Sequence, residues 1–591
     1  MTPAMEMLEE RLTKALSAAT GIAGCPAVVR PATDAKFGDY QANGVMGAAK
    51  KLKRNPRDLA AEVVRLADLA DICDAPEIAG PGFINLRLKK EYIAAALLDI
   101  NRDAERLGVE KVKKPQKIVV DYSGPNIAKE MHVGHLRSTI LGDCIARMLE
   151  FQGHTVIRQN HIGDWGTQFG MLIALLWEQK AGLAMGADAS GIPSLGDIEA
   201  FYKEAKRRYD ADSDFAAAAR QWVVDLQNHD IRVMPVWKSI VDESRRHYQP
   251  VYERIKVTLR PEHERGESAY ADVLADVVAE MQSKGIAVES NGAICVFPTG
   301  FKNKDGNDLP FIIQKSDGAF LYATTDLAAL RYRLKDLGAE RIIYVTDARQ
   351  KLHFEMLFAV AKMAGWVKDG VRLDHVMFGS VLGEDGKPFK TRSGESVKLT
   401  DLLDEAVARA RAVVEEKNPD LPDGMKQRIA GAVGIGAVKY ADYSNNLASD
   451  YVFSFDRMLA LEGNTAPYMQ YAYARVKSIE RKAGTKKVDI ASEIARLTAI
   501  RLDEPAELEL AKHLLRYGEV IDSAASDYRP NYLTACLYDL AAKFSAFYYA
   551  CPVLQAGEDK RPAGLMLCDL TARTIRHGLA QLLGIEVVEQ M

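Results

Sequence analysis

The sequence predicts a multidomain chain of mixed class. A small α+β N-terminal domain precedes a Rossmann-type parallel-sheet α/β domain with a helix-rich insertion, and an all-α C-terminal bundle follows. Three observations predict this. The chain has 591 residues, and single cores stop growing near ~250–300 residues, so three or four domains are expected. A strand–loop–helix–strand unit runs from Ile118 to Gln159, the opening of a parallel sheet. From about Thr400 onward nearly every segment has helical period, and strand signals are scarce.

The first 110 or so residues mix helix and strand signals. They include Phe37-Gly-Asp-Tyr-Gln-Ala-Asn43 and a basic run of Lys50, Lys51, Lys53, Arg54 and Arg57. That run is either a solvated helix face or a patch for phosphates. The charged stretch Lys111–Pro115 is expected to be a linker. Ile118–Val120 is a β-branched strand, followed by a loop with Gly124 and Pro125 and a helix from about Gly134 to Gln152. Leu136, Ile140, Leu141, Ile145, Met148 and Leu149 form the apolar stripe of this helix, and Gly153 stops it. A strand over 154–159 comes next. Residues 180–292 are charged and helical in pattern, an insertion between two halves of the sheet. Beta signals resume at Ala293–Phe297, and Arg341–Thr346 and His375–Leu382 complete the sheet. The expected domains are therefore 1–112, 113–400, a helical linker over 401–455, and 456–591.

Composition narrows the class. Hydrophobic residues make up 48% and charged residues 27%, as in soluble globular proteins. No apolar run approaches the ~20 residues of a membrane span. Met1–Leu12 lacks the basic and apolar regions of a signal peptide. Seven cysteines form no C-x-x-C pair, which argues against a disulfide framework or zinc knuckle and for a reducing, cytoplasmic setting. With a net charge of −4, any nucleic-acid partner has to be met by local basic patches.

The sharpest motif is Ser123-Gly-Pro-Asn-Ile-Ala-Lys-Glu-Met-His-Val-Gly-His135, between strand and helix. The free N–H groups and dipole of a helix start favour a polyphosphate. Gly134 has no Cβ to block a nucleotide's approach. His132 and His135 can donate hydrogen bonds to charge growing on an attacked phosphorus, with Lys129 upstream. Their spacing also fits a zinc pair, but no third ligand cluster follows, so no metal site is expected. The second motif is Gly383-Glu-Asp-Gly-Lys-Pro-Phe-Lys-Thr-Arg-Ser-Gly394. Its Lys387, Lys390 and Arg392 can clamp a leaving pyrophosphate, although it does not match a P-loop.

H-V-G-H resembles the HIGH signature of class I aminoacyl-tRNA synthetases, and Phe389-Lys-Thr-Arg-Ser393 sits where that class carries its K-M-S-K-S loop. Phe389 and Arg392 replace the two lysines, a degeneracy common in arginyl-tRNA synthetases. Gly163-Asp-Trp-Gly-Thr-Gln168, Tyr322-Ala-Thr-Thr-Asp-Leu-Ala328, Arg349-Gln-Lys-Leu-His-Phe354 and Asn464–Arg475 are similar to the same family. Phe37–Asn43 resembles its N-terminal domain, which in the family touches the outer corner of tRNA. The likeness is weakest in the insertion and around residues 480–530.

The resemblance implies arginine activation by Mg-ATP to arginyl-adenylate, then transfer to the terminal 2′-hydroxyl of tRNA. It implies no tightly bound cofactor, a monomer, and the partners arginine, ATP and tRNA. His132 and His135 would serve the phosphates, joined by Lys129, Lys390 and Arg392, with Pro125, Gly134 and Ser393 also lining ATP. A guanidinium is a rigid fork of donors and calls for carboxylates and planar acceptors. By resemblance, Asp121, Ser123 and Asn126 hold the amino-acid end of arginine, and Tyr322, Asp326 and Gln350 line its side chain. Asp326 also has a structural alternative, as the N-cap of a helix opening at Leu327. Tyr468, Tyr471 and Arg475 fall on one helix face, where they could stack on unpaired anticodon bases or form core. In the family the last residues lie beside the anticodon, which adds Met591. Two rivals remain: a small-molecule adenylating enzyme with an HxGH loop, and a catalytically dead tRNA-binding paralogue. The long helical tail opposes the first, and the intact H-V-G-H and Asn126 oppose the second.

Overall fold

The computed structural model describes residues 2–180, 198–387, 389, 397–486 and 488–591. They divide into two compact units. One comprises Lys113–Ala460 with Leu582–Glu586, the other Met1–Val112, Leu461–Gln581 and Val587–Met591.

The first unit is built on four parallel strands: β1 (Lys117–Asp121), β2 (Thr155–Gln159), β3 (Arg341–Asp347) and β4 (Arg372–Phe378). Their order across the sheet is β4-β3-β1-β2. Helix α1 (Val133–Phe151) joins β1 to β2, α2 (Tyr322–Lys335) precedes β3, and α3 (Lys351–Met363) joins β3 to β4. The chain thus leaves β1 toward one edge and β3 toward the other. The gap at the carboxyl ends of these two neighbours is the switch point where such sheets bind ligands.

All six residues of the expected α1 stripe are buried, and each such side chain contributes roughly 1.5–3 kcal/mol. Yet α1 is buried on nearly every side, including Arg137, Asp143 and Cys144. Its polar positions are therefore not a solvent face. Gly142 lies against Tyr122, where a Cβ would sit 2.2 Å from a ring-bearing carbon.

The expected strand His375–Leu382 is corrected. It breaks at Gly379–Ser380, and Val381–Leu382 leaves the sheet to pair in parallel with Tyr451–Val452. Backbone packing forces the break, because a Cβ on Gly379 would lie 2.6 Å from the Ser449 carbonyl carbon. Ala293–Val296 belongs to a separate antiparallel sheet with Ala287–Ser290 and Phe311–Gln314. Its core residues Val296 and Ile313 are continuous with Leu327, Leu330, Ile342 and Leu357. The segment between β2 and that sheet contains helices Ile198–Ala211, Ser213–Gln227, Met234–Arg254 and Leu274–Ser283.

After β4 come α4 (Leu399–Lys417) and α5 (Asp423–Ser444), packed on each other. The returning segment Leu582–Glu586 is anchored on α5. The Tyr443 hydroxyl donates to Leu583 O at 3.2 Å, and Lys439 Nζ to Gly584 O at 2.7 Å.

The second unit contains a four-stranded antiparallel sheet, Val29–Pro31, Tyr40–Ala42, Phe83–Leu86 and Glu77–Ala79 in that order. Its bundle includes α6 (Ala466–Thr485), α7 (Pro505–Leu515), α8 (Tyr517–Asp527), α9 (Pro530–Ala550) and α10 (Arg561–Arg576). The Phe37–Asn43 motif docks this sheet on the bundle. Asp39 pairs with Lys512 of α7 at 2.8 Å, and the Tyr40 hydroxyl donates to Glu519 of α8 at 2.8 Å. The basic residues Lys50, Lys51, Lys53, Arg54 and Arg57 are exposed, and Arg54 pairs with Glu62.

Among the described residues no helix is long and apolar enough to cross a membrane, and no group of three His, Cys, Asp or Glu could hold a metal ion.

Candidate active site

The loop after β1 is held in one shape by the stretch after β2. Gly124 N donates to Asn160 Oδ1 at 2.9 Å, Gly163 N to Pro125 O at 3.0 Å, and Ile127 N to Gly163 O at 3.2 Å. Ser123 adopts a left-handed φ of 73°, a conformation that non-glycine residues hold only when their surroundings compel it. Its hydroxyl is buried, 2.8 Å from Thr139 Oγ1 and 2.7 Å from the Tyr252 hydroxyl. Asn126 Oδ1 accepts from Ala128 N at 3.2 Å. This pinned loop delivers the two histidines to the start of α1.

His132 is the N-cap of α1, and the two histidines cap reciprocally. Gly134 N donates to His132 Nδ1 at 3.0 Å, and His132 N donates to His135 Nδ1 at 3.1 Å. The rings lie 4.0 Å apart. Burial, then the partner histidine, then Lys129 push the His135 imidazole down to about 3, and burial followed by Lys129 lowers His132 as well. Both rings are therefore neutral near neutral pH. Because each Nδ1 accepts a backbone N–H, the ring proton is on Nε2. The site thus presents two Nε2–H donors at a helix N-terminus, where anions are favoured.

Gly134 has a more local reason than nucleotide access: a Cβ there would lie 2.7 Å from the His132 ring. Lys129 Nζ lies 4.5 Å over the Tyr202 ring. Lys390, Arg392 and Ser393 lie outside the described residues, but both ends of their segment are tied down. Phe389 N donates to Val381 O at 3.1 Å, while Val133 N donates to Val397 O at 3.0 Å and Leu399 N to Met131 O at 2.9 Å.

Asp326 is corrected as a helix cap. Leu321 is the N-cap of α2, which starts at Tyr322, so Asp326 stands in the second turn. Its carboxylate is flanked by two histidines that follow β2 and β3. His353 Nε2 is 2.6 Å from Oδ2, and His161 Nε2 is 3.8 Å from Oδ1. Tyr322, one turn earlier, is 67% exposed with its ring 5.2 Å from His353. Gln350 is the exposed N-cap of α3, one turn before His353. The Asp121 carboxylate lies 2.8 Å from Arg333 Nη2 of α2, and both residues are buried.

Glu267, His161 and His353, which surround Asp326 or interact with it electrostatically, were not among the residues expected from the sequence. Burial, then Asp164, then Asp326 push the Glu267 carboxyl up to about 7. Burial is the main cause, and the nearby carboxylates add to it, so a cation here would favour the ionised form. The available signal was Gly266-Glu-Ser268, His353 inside the Arg349–Phe354 motif and His161 two residues before Gly163, but none has a spacing that marks it.

In the second unit the face of α6 splits clearly. Met469, Tyr473 and Val476 form its buried side, while Tyr471 is 47% exposed and Tyr468 and Arg475 are partly exposed. Arg475 lies 4.8 Å over the ring of Tyr548 of α9, and Tyr468 is 5.7 Å from Tyr538. Arg481 Nη1 donates to Glu589 O at 2.9 Å, holding the segment before Met591 against α6.

A parallel sheet with paired neutral histidines capping the helix at its switch point, followed by a helical bundle, defines a class I aminoacyl-tRNA synthetase. The family profile described as tRNA synthetases class I (R), catalytic domain, matches residues 97–455. The arginyl tRNA synthetase N-terminal domain matches 6–88, and the DALR anticodon binding domain 469–591. The chain belongs to the arginyl-tRNA synthetases. It is 51% identical to an arginine–tRNA ligase of a Synechococcus strain over 100% of both chains. It is also 51% identical to that of Chromobacterium violaceum over 99% of both. Among solved structures it resembles the arginyl-tRNA synthetases of Plasmodium falciparum (TM-score 0.85, 28% identity) and Thermus thermophilus (0.81, 27%), each with full coverage of both chains.

Proposed function

We propose the following division of labour for this arginine–tRNA ligase. The chain activates arginine with ATP and transfers the arginyl group to the 3′-terminal adenosine of its tRNA. Arginine's carboxylate attacks the α-phosphorus, and no side chain acts as a nucleophile. Catalysis is positioning plus charge stabilisation. His132 and His135 donate from Nε2 to the phosphates, and Lys129, Lys390 and Arg392 supply positive charge. Mg²⁺ arrives on the ATP phosphates. Pro125, Gly134 and Ser393 line the nucleotide. Ser123 and Asn126 hold the amino-acid end of arginine. Asp121, tied to Arg333, contributes through that pair.

The observation that carries the specificity is the acidic region around Asp326. Asp326 and Glu267 face the guanidinium, with Tyr322 and Gln350 closing the pocket. Tyr468, Tyr471, Arg475 and Met591 receive the anticodon within domain 456–591, domain 1–112 meets the corner of tRNA, and residues 401–455 form the connecting helical region. The enzyme works as a cytoplasmic monomer.

The direct test is arginine-dependent ATP–pyrophosphate exchange with and without tRNA. Exchange is expected to be strong with tRNA and near background without it, because tRNA docking completes the basic loop. No exchange in either case would remove the catalytic reading. Full exchange without tRNA would remove the coupling alone.

The raised Glu267 carboxyl predicts a pH dependence. It ionises as pH rises through about 7, and only the carboxylate attracts a guanidinium. The KM for arginine should therefore fall by roughly 3- to 10-fold from about pH 6 to about pH 8. Glu267→Gln should raise the KM and flatten that profile. A variant with the wild-type profile would place Glu267 outside the arginine pocket.

A further inference from the structure

Arg137, the second residue after the H-V-G-H motif, is buried with 1% exposure. Its guanidinium meets a carboxylate and three backbone carbonyls. Nε lies 3.1 Å from Asp442 Oδ2 of α5. Nη1 donates to Gly379 O at 2.6 Å and to Ser449 O at 3.2 Å, and Nη2 to Leu447 O at 3.3 Å. Its faces meet the rings of Tyr451 at 5.2 Å and Phe378 at 5.6 Å. These partners come from the end of β4, from the end of α5, and from the segment that leads out of α5. That segment is itself the neighbour of the basic loop's near end. Gly379 N donates to Leu447 O at 3.1 Å, Ser380 N to Asp450 Oδ1 at 2.6 Å, and Phe453 N to Leu382 O at 2.8 Å. The Phe389 ring packs 5.0 Å from Phe453. The far end of the loop, Val397–Leu399, is bonded to Met131 and Val133, so both roots are referred to the same helix start.

We propose that Arg137 is a positioning residue that sets the root of the basic loop against the histidine pair, and so determines how ATP and pyrophosphate are held. The inference rests on the phosphate reading of that loop. Arg137 touches no substrate. It joins α1, whose first turn carries His132 and His135, to the backbone of Gly379 and to the Leu447–Phe453 segment. Lysine keeps the charge but is a single point donor, so it cannot reach Asp442 and three carbonyls together. Gly379 and the Leu447–Phe453 segment would then lose their common tether while the buried charge balance with Asp442 persists.

The test is steady-state ATP–pyrophosphate exchange, with tRNA present, on full-length wild type, Arg137→Lys and Asp442→Asn. Each is normalised to folded enzyme by thermal melt and to tRNA bound. Arg137→Lys should raise the KM for ATP and for pyrophosphate about tenfold each, with arginine KM and tRNA Kd within about twofold of wild type. Asp442→Asn, which keeps shape and removes charge, should move the same two constants in the same direction by a smaller factor. A purely structural role would lower the folded fraction and leave those KM values in place, and that result overturns the proposal. It is also overturned if the arginine KM rises in step with that for ATP. Wild type is the control for the underlying reading: no exchange there would condemn the phosphate assignment, whereas normal wild-type exchange with unmoved KM values in both variants condemns only the role of Arg137.

Discussion

His135→Ala is expected to reduce adenylate formation by on the order of 10²–10³-fold, the loss that follows removal of one transition-state hydrogen-bond donor. The variant loses an Nε2–H donor at the α1 start, and it also loses the Nδ1 that accepts from His132 N. The second loss weakens a helix cap, a cost of roughly 0.5–2 kcal/mol. The melting temperature should therefore fall modestly while turnover falls steeply. Arginine KM and tRNA Kd should change little, since neither contact lies at this cap. The measurement is tRNA-supported exchange per mole of folded enzyme. Turnover near wild type would show that the phosphates are held elsewhere.

Asp326→Asn is expected to weaken arginine selectively. The amide keeps the shape and still accepts from His353, whose Nε2 lies 2.6 Å away. It loses the charge proposed to face the guanidinium. Truncating one side of a charge-assisted pair costs roughly 2–5 kcal/mol, and every 1.4 kcal/mol is about tenfold in affinity. A rise in arginine KM of at least about thirtyfold should result, with ATP KM nearly constant. Because Asp326 stands inside α2 rather than at its start, the melting temperature should barely move. A lower melting temperature with an unchanged arginine KM would mean that the carboxylate serves the fold alone.

Much of the architecture was legible because it rests on periodicity. The α1 stripe, the strands at 118–120 and 341–346 and the helical C-terminal half follow from spacing that each element must have to bury its apolar side. The break at Gly379 was not legible, since His375–Leu382 reads as one apolar run and the cause is a distant backbone, Ser449, packed on the glycine. The histidines were legible as a pair at a helix start, but their reciprocal capping was not, because it depends on ring orientation that spacing does not encode. The arginine pocket divides the same way. Asp326 stands in a recognisable motif, whereas the proposed part of Glu267 could be seen only once folding had buried it and brought it into the electrostatic reach of Asp164 and Asp326. Arg137 is the clearest case: in sequence it is one more charged residue on an amphipathic helix, and in the structure it has no solvent at all.

The return of Leu582–Glu586 into the first unit bears on how this protein is made. Lys439 is fully buried, and its Nζ donates to two carbonyls, Ile255 O at 2.6 Å and Gly584 O at 2.7 Å. One of these acceptors lies 145 residues later in the chain. A ribosome that has completed Lys113–Ala460 has therefore released nearly all of the adenylate-forming unit without its last acceptor. Domains generally fold as they emerge, N-terminal parts first, but the Gly584 contact of this one can form only once residue 584 has left the exit tunnel. Lys439 thus gains this second carbonyl only after the segment that contains the helical bundle has been translated.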